Sequence, residues 1–301
     1  TAYPQASQGS RIAVIDTQSS GNLPYATSDH VTSAVSVTVL PPYDSNLPTT
    51  HADMMMSAAA SSGSDINLFV AQNVVGSISF LPGFMADAIN AAKTAGVDVI
   101  SMSMSNNAAI DPPSYKAIAQ AIAANILPVR AMGNWGGFNQ DDYQINGMAT
   151  VGHIVNDELK STYSNYGPMF VVPMDGKCKV PLSFSRSIAE IDCSAGQSSM
   201  ATAFAAAQMA MLPKGLTPAQ KIDAVCKTAK PVKILPVNTA DPVINATNVK
   251  INTKNAFIKC GIVDIKAAID YAYNTIITWG IQFNDFYAWN DYQDTMYMTV
   301  L

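Results

Sequence analysis

The sequence predicts an α/β fold, a three-layer α/β/α sandwich built around a mostly parallel central sheet. Three observations carry this. Between residues 67 and 132 short apolar runs alternate with helical stretches, the βαβα pattern that covers both faces of a parallel sheet. The stretch 195–213 is Ala-rich, uncharged and apolar on every side after Ser198 and Ser199, so it belongs inside a domain rather than on its surface. Finally, 301 residues, 49% of them hydrophobic, suffice to bury one large core, with a tail left over.

Taken in order, residues 12–15 read as a strand covered on both faces, ending on Asp16. Ligands gather at the carboxyl ends of such strands, so Asp16 is either a site acid or a turn former bonded to its own backbone. Residues 18–48 are Ser-, Asn-, Pro- and Thr-rich loop apart from a strand-like 31–40, with His30 at the surface. An N-cap signal at Thr49-Thr50 opens an apolar helix that stops at Gly63. It places His51 in the first turn, where the helix dipole disfavours imidazolium and favours the neutral form a general base needs. Met54, Met55 and Met56 read as core filler.

Strands follow at 67–72 and 97–104, separated by a helix over 84–95 that ends at Gly96. A helix over 114–125 leads into a strand over 126–132, which runs into Gly133-Asn134-Trp135-Gly136-Gly137. The amide of Asn134 can reach into a cleft because its neighbours carry little bulk; the alternative is a plain turn. Residues 149–155, with His153 as a core or edge histidine, and 169–172 complete the strands. A capped helix over 217–230, loops and short strands to 255, and a helix over 266–273 close the folded part.

Charge and cysteine content exclude several functions. With 13% charged residues and a net charge of −5 there is no basic field for nucleic acid, and no uncharged apolar run is long enough to cross a bilayer. Neither nucleic acid nor membrane is an expected partner. Cys178, Cys193, Cys226 and Cys260 lack C-x-x-C spacing, and with only three histidines a zinc site is not expected. Four cysteines permit three pairings, of which 178–193 with 226–260 is favoured, in keeping with a secreted or otherwise extracytoplasmic protein. The opening Thr1 points to processing, the removed piece being a signal peptide or a pro-segment, with trimming the other origin. Asn245-Ala-Thr would accept a glycan only in a eukaryotic secretory pathway.

Ser198 and Ser199 stand where helix N–H groups face outward, which suits a cap and equally a hydroxyl that passes through an oxyanion. Asp16, His51, Asn134 and Ser199 thus line up along the chain. Acid, base, nucleophile is one of the orders in which a Ser-His-Asp triad is strung on a fold. At this point the sequence resembles the subtilisin-like serine proteases, the subtilases. Arg11-Ile-Ala-Val-Ile-Asp16-Thr resembles the acid motif, Thr50-His51-Ala the histidine motif, Asp98-Val-Ile-Ser-Met-Ser the substrate-binding strand, Ala131-Met-Gly-Asn134-Trp-Gly the oxyanion motif and Ser198-Ser199-Met-Ala-Thr-Ala the serine motif. Ala149-Thr-Val-Gly, Ser161-Thr-Tyr-Ser-Asn-Tyr-Gly-Pro and Cys260-Gly-Ile-Val-Asp are similar to further landmarks in the same order.

The resemblance implies a serine endopeptidase. Ser199 would be the nucleophile, His51 the base, Asp16 its orienting acid, and Asn134 an oxyanion donor with the N–H of Ser199. It implies a pocket for the residue before the scissile bond (P1) walled by Ser103, Met104 and Ser105 on one side and Ala131, Met132 and Gly133 on the other. Trp135 would stand at the rim, the pocket being apolar or permissive. Polypeptide is the implied substrate, with a pro-segment or inhibitor as a further partner. The chemistry requires no cofactor, and structural calcium is implied without assignable ligands. A catalytic domain would span 1–272. The extension 273–301, with aromatics from Trp279 to Tyr297, would pack on it, cover the cleft or dock a partner.

Departures from the family pattern are Ala52-Asp53-Met54 after the histidine, Gln18 after Asp-Thr, and Gln197-Ser198 where Gly-Thr commonly precedes the nucleophile. Gln197 is expected to alter the turn that aims Ser199. Oxidation of Met200, beside the nucleophile, is expected to lower activity. A catalytically inactive binding protein on the same fold, and a self-processing or peptide-ligating relative, are the alternatives.

Overall fold

The computed structural model describes residues 10–17, 31–36, 51–70, 83–104, 111–134, 145–155, 158–159, 164–165, 167–174, 177–181, 188–192, 197–234 and 258–277. Along the chain run β1 (Arg11–Asp16), β2 (Val31–Ser36), α1 (His51–Ala59), β3 (Asp65–Val70), α2 (Phe84–Thr94), β4 (Val99–Met102), α3 (Pro112–Ala123), β5 (Leu127–Ala131) and β6 (Ala149–Ile154). They are followed by β7 (Glu158–Leu159), β8 (Phe170–Pro173), β9 (Lys177–Pro181), β10 (Ile188–Asp192), α4 (Gln197–Met209), α5 (Pro218–Thr228), β11 (Lys233–Ile234), β12 (Gly261–Ile262) and α6 (Ile265–Tyr271).

Eight strands form one sheet in the order β12-β8-β6-β5-β4-β1-β3-β2, every neighbouring pair parallel. Side chains alternate across it. Ile12 and Val14 of β1 enter the core that holds α1, α4, α5 and α6, whereas Ala13 and Ile15 enter the core that holds α2 and α3. This is the three-layer sandwich read from the sequence. The apolar helix at its centre is α4, whose Met200, Ala201, Ala203, Ala205, Ala206 and Met209 are buried.

Several boundaries differ from those predicted. The third helix starts at Pro112, not Ser114, because Asp111 caps it: Oδ1 accepts the Ser114 N–H at 3.0 Å, and proline suits the first helical position. The ladder of β4 covers Val99–Met102 rather than 97–104, so Ser103 and Met104 continue past the paired stretch. The apolar run marks burial, and only part of it has a neighbour to pair with. β3 starts at Asp65 rather than at 67, while 37–40 and 71–72, the remainders of the two expected strands, lie outside the described residues.

The expected helix over 217–230 is α5, opened by a capping box between Thr217 and Gln220. A disulfide joins its last turn, at Cys226, to Cys260, with Cα atoms 4.8 Å apart. Cys193, and with it the other favoured pairing, lies outside the described residues. So do His30, Ser105, Trp135 and the stretch 278–301. α6 continues as a π-helical stretch, Ala272–Ile277, whose Ala272 is fully buried. Among the described residues no helix is long and apolar enough to cross a membrane.

Parallel strands in register end together. Ile15 pairs with Met102 and Met102 with Arg130, so the rank that follows places Asp16, Ser103 and Ala131 side by side at the carboxyl edge of the sheet. The first turns of α1 and α4 stand above that edge.

Candidate active site

Asp16 ends β1 with its side chain fully buried. Its Oδ1 accepts the Thr17 N–H at 2.6 Å and the Thr17 hydroxyl at 3.1 Å. Both carboxylate oxygens lie 2.8 Å from Nδ1 of His51, the first residue of α1. A carboxylate only accepts, so Nδ1 carries the proton and the neutral ring presents Nε2 as an acceptor. The imidazole side chain is 31% exposed, open on the side away from the acid.

The helix position of His51 led to the expectation of a shift toward the neutral form. The structure reverses it. Burial does pull the imidazole down, but the charge of Asp16 and the hydrogen bond to it more than offset that, and the net pKa lies above the ordinary 6.5. A contact at 2.8 Å with a buried carboxylate outweighs partial charges on a helix end.

Ser199 lies in the first turn of α4. Its hydroxyl donates to the Ser103 carbonyl at 2.9 Å, and the Ser103 hydroxyl donates back to the Ser199 carbonyl at 2.8 Å. Among the described residues no hydrogen bond joins Ser199 to His51. The Ser198 hydroxyl is buried and has no partner among the described residues, so neither serine serves there as a side-chain cap. A residue distant in sequence takes over that role: Asn134 accepts the Ser198 N–H through Oδ1 at 3.1 Å. With Oδ1 so engaged, the amide nitrogen of Asn134 is the end left to donate.

Gln197 adopts φ 45°, the left-handed conformation that a glycine takes without cost. A side chain at this φ strains the turn that carries Ser199. Asp53, the other departure near the base, is fully buried in the first turn of α1.

Of the predicted pocket walls, Ser103, Met104, Ala131 and Met132 are all buried, and Gly133 has φ 99°. Sequence reasoning missed Asn165. It is 1% exposed, donates through Nδ2 to the Met132 carbonyl at 2.7 Å, and its N–H meets the Gly133 carbonyl at 2.9 Å. It thereby fixes the two peptides that precede Asn134. The signal in the sequence is the Ser161-Thr-Tyr-Ser-Asn-Tyr-Gly-Pro landmark that contains it. His153, read as a core or edge histidine, is buried in β6. Among the described residues no group of three His, Cys, Asp or Glu side chains could hold a metal ion, so no calcium ligand is assigned.

The sequence model of the subtilase family matches residues 7–257. No curated protein matches the chain. Among solved structures, that of the prenylagaramide maturation protease PagA is similar with a TM-score of 0.56 and 17% identity, over 87% of this chain and 92% of that one. A likeness at this identity concerns the fold. The family match runs from before Asp16 to well past Ser199, and the chain is accordingly a member of the subtilase family, a subtilisin-like serine protease.

Proposed function

We propose that this protease is an endopeptidase that cleaves polypeptides through an acyl-enzyme on Ser199. The observation that carries the reading is the buried Asp16 carboxylate held against Nδ1 of His51, which leaves Nε2 free to take a proton. Ser199 Oγ attacks the peptide carbonyl carbon as its proton passes to Nε2. The oxyanion that forms accepts hydrogen bonds from the Ser199 N–H and the Asn134 side-chain amide, at the positive end of α4. Collapse breaks the C–N bond, His51 returns the proton to the departing amine, and a water deprotonated by His51 then hydrolyses the ester.

The pocket reading is an apolar or permissive one, supported by the Met and Ala side chains at the ends of β4 and β5. Secretion is the location we attach to the protein, supported by the Cys226–Cys260 disulfide.

A fluorophosphonate tests the reaction class. Wild type is expected to be phosphonylated, with mass spectrometry placing the adduct on Ser199, and Ser199→Ala is expected to stay unlabelled. Equal, minimal labelling of both proteins sinks the hydrolase mechanism and leaves a binding protein on this fold.

A further inference from the structure

We propose that a hollow at the amino edge of the sheet is the docking site of this chain's own C-terminal extension, residues 278–301, which seats an aromatic side chain there. The inference goes beyond the protease reading, and it places the extension at the opposite edge of the sheet from Asp16, His51 and Ser199.

The hollow is built where the chain enters the sheet. Ile145 precedes β6, Met169 precedes β8 and Lys259 precedes β12, while Ala219 and Ile222 come from the first turns of α5. Ile145 and Met169 are buried and make the floor, Ile222 is half-buried, and Ala219 and Lys259 stand exposed at the rim. The volume is about 280 Å³. An apolar cavity of about 150 Å³ already takes a benzene ring, so this hollow has room for an indole or a phenol. Lys259 forms no ion pair among the described residues, and an ammonium at the rim favours both an aromatic face and a carboxylate.

Two observations choose the occupant. The first is the direction in which the described chain ends. α5 and α6 are joined at one end, by the Lys230–Asp264 ion pair at 2.8 Å and by the Cys226–Cys260 disulfide. α6 starts from that end, and its continuation 272–277 still packs against α5, so the two helices run antiparallel. The chain therefore leaves residue 277 toward the start of α5, whose first turns are a wall of the hollow. Each further residue, when extended, adds about 3.3 Å of reach. The second observation is composition. Residues 278–301 hold seven aromatic residues, from Trp279 to Tyr297, together with Asp285, Asp291 and Asp294 and neither Lys nor Arg. The rings match the apolar floor, and the acids match the ammonium at the rim.

Photo-cross-linking of the whole chain tests the docking. With a diazirine-bearing aliphatic amino acid in place of Ala219, and Ser199→Ala to prevent self-cleavage, illumination is expected to join position 219 to a residue within 278–301 of the same chain, read by mass spectrometry on the monomer. An adduct to 278–301 of a second copy, an adduct to any other segment, or no adduct at all overturns the proposal. Chymotrypsin supplies the second measurement, because it cuts after the aromatic residues of the extension. Ala219→Asp combined with Lys259→Glu sets two carboxylates at the rim against the acids of the segment. Both positions are exposed, and an acid in the first turn of α5 suits that helix end, so these changes spare the fold. Cleavage within 278–301 is expected to be about tenfold faster in this variant than in its parent, the effect of releasing one buried ring. Equal rates overturn the docking. Neither measurement uses catalysis, so failure of the protease reading, seen as an unlabelled Ser199, leaves both results standing.

Discussion

Two aspartates stand on neighbouring strands of the same sheet, Asp16 at the carboxyl end of β1 and Asp98 just before β4, at the amino edge. Asp98 takes the Arg11 N–H at 2.8 Å and the Lys214 ammonium at 3.4 Å. Its own N–H and carbonyl bond to Arg11 O and Leu127 N, so it splices the starts of β1, β4 and β5. Asp16 likewise accepts a main-chain N–H but adds an imidazole. Residue type does not separate the two sites. A main-chain amide does not titrate near neutral pH whereas an imidazole does, and in the proposed mechanism it is that partner which gives the acid at the strand end its role. The amino edge also has a hollow of about 280 Å³ lined by Met169, Ile222 and Lys259 among others, with neither acid nor imidazole among the described residues of its wall.

The comparison breaks first if Asp16 proves structural. Asp16→Asn is expected to lower kcat about 10⁴-fold while the protein stays folded. The pH profile sharpens this. Activity in wild type should rise through an inflection above 6.5, the raised pKa of His51, and in Asp16→Asn the inflection of the residual activity should move down, since burial then acts unopposed. Stability runs the other way: a raised imidazole pKa contributes stability that is fully present below 6.5 and is lost as pH rises through the folded value. Turnover and urea midpoints measured across the same pH range should therefore change in opposite directions.

Asn134→Ala comes next. Loss of one oxyanion donor is expected to cost about 10² to 10³ in kcat, a range established in subtilisin itself, of this same family, and not obtained from this chain. A loss of stability should accompany it, because the Ser198 N–H then lacks its acceptor.

Asp98→Ala is the mirror experiment. It removes a charge-assisted bond to the Arg11 N–H and is expected to lower unfolding stability by about 1–2 kcal/mol, with kcat per folded molecule unchanged. If turnover fell as it does for Asp16→Asn, the two edges would not differ as described. Lys221 refines the point. It is 2% exposed on α5, and burial, with Lys214 adding to it and Asp98 opposing, depresses its pKa. A depressed lysine destabilises fully below its folded pKa, and stability recovers as pH rises toward the ordinary 10.5. Lys221→Met is expected to raise stability by about 1 kcal/mol at neutral pH and to flatten that alkaline rise, read from urea midpoints between neutral and alkaline pH.

How much of this was legible in the sequence depends on how local each signal is. Apolar runs gave the layers and put Asp16 at a strand end and His51 and Ser199 at helix starts, because burial and periodicity are written within a few residues. What stayed hidden was set by partners far along the chain. The capping of α4 by Asn134, the grip of Asn165 on Met132 and Gly133, and the pairing of Ser103 with Ser199 each span tens of residues, and no periodicity encodes them. The protonation tendency of His51 was misjudged for the same reason. The helix end is visible in the letters, but Asp16 at 2.8 Å is visible only in space.

Gln197 offers the smallest test of the carboxyl edge. Its left-handed backbone, φ 45°, costs about 1 kcal/mol for a side chain, and glycine would remove that cost while adding freedom to the unfolded chain that offsets much of it. Gln197→Gly is therefore expected to shift stability by no more than about 0.5 kcal/mol and turnover by less than twofold. Gln197→Val, whose branched side chain tolerates this conformation worst, should lose about 1 kcal/mol and lower kcat, because the strain would be relieved by moving the turn that carries Ser199. Equal kcat for the glycine and valine variants would mean that the aim of Ser199 is set by Ser103 and Asn134 alone, and the turn before it merely follows.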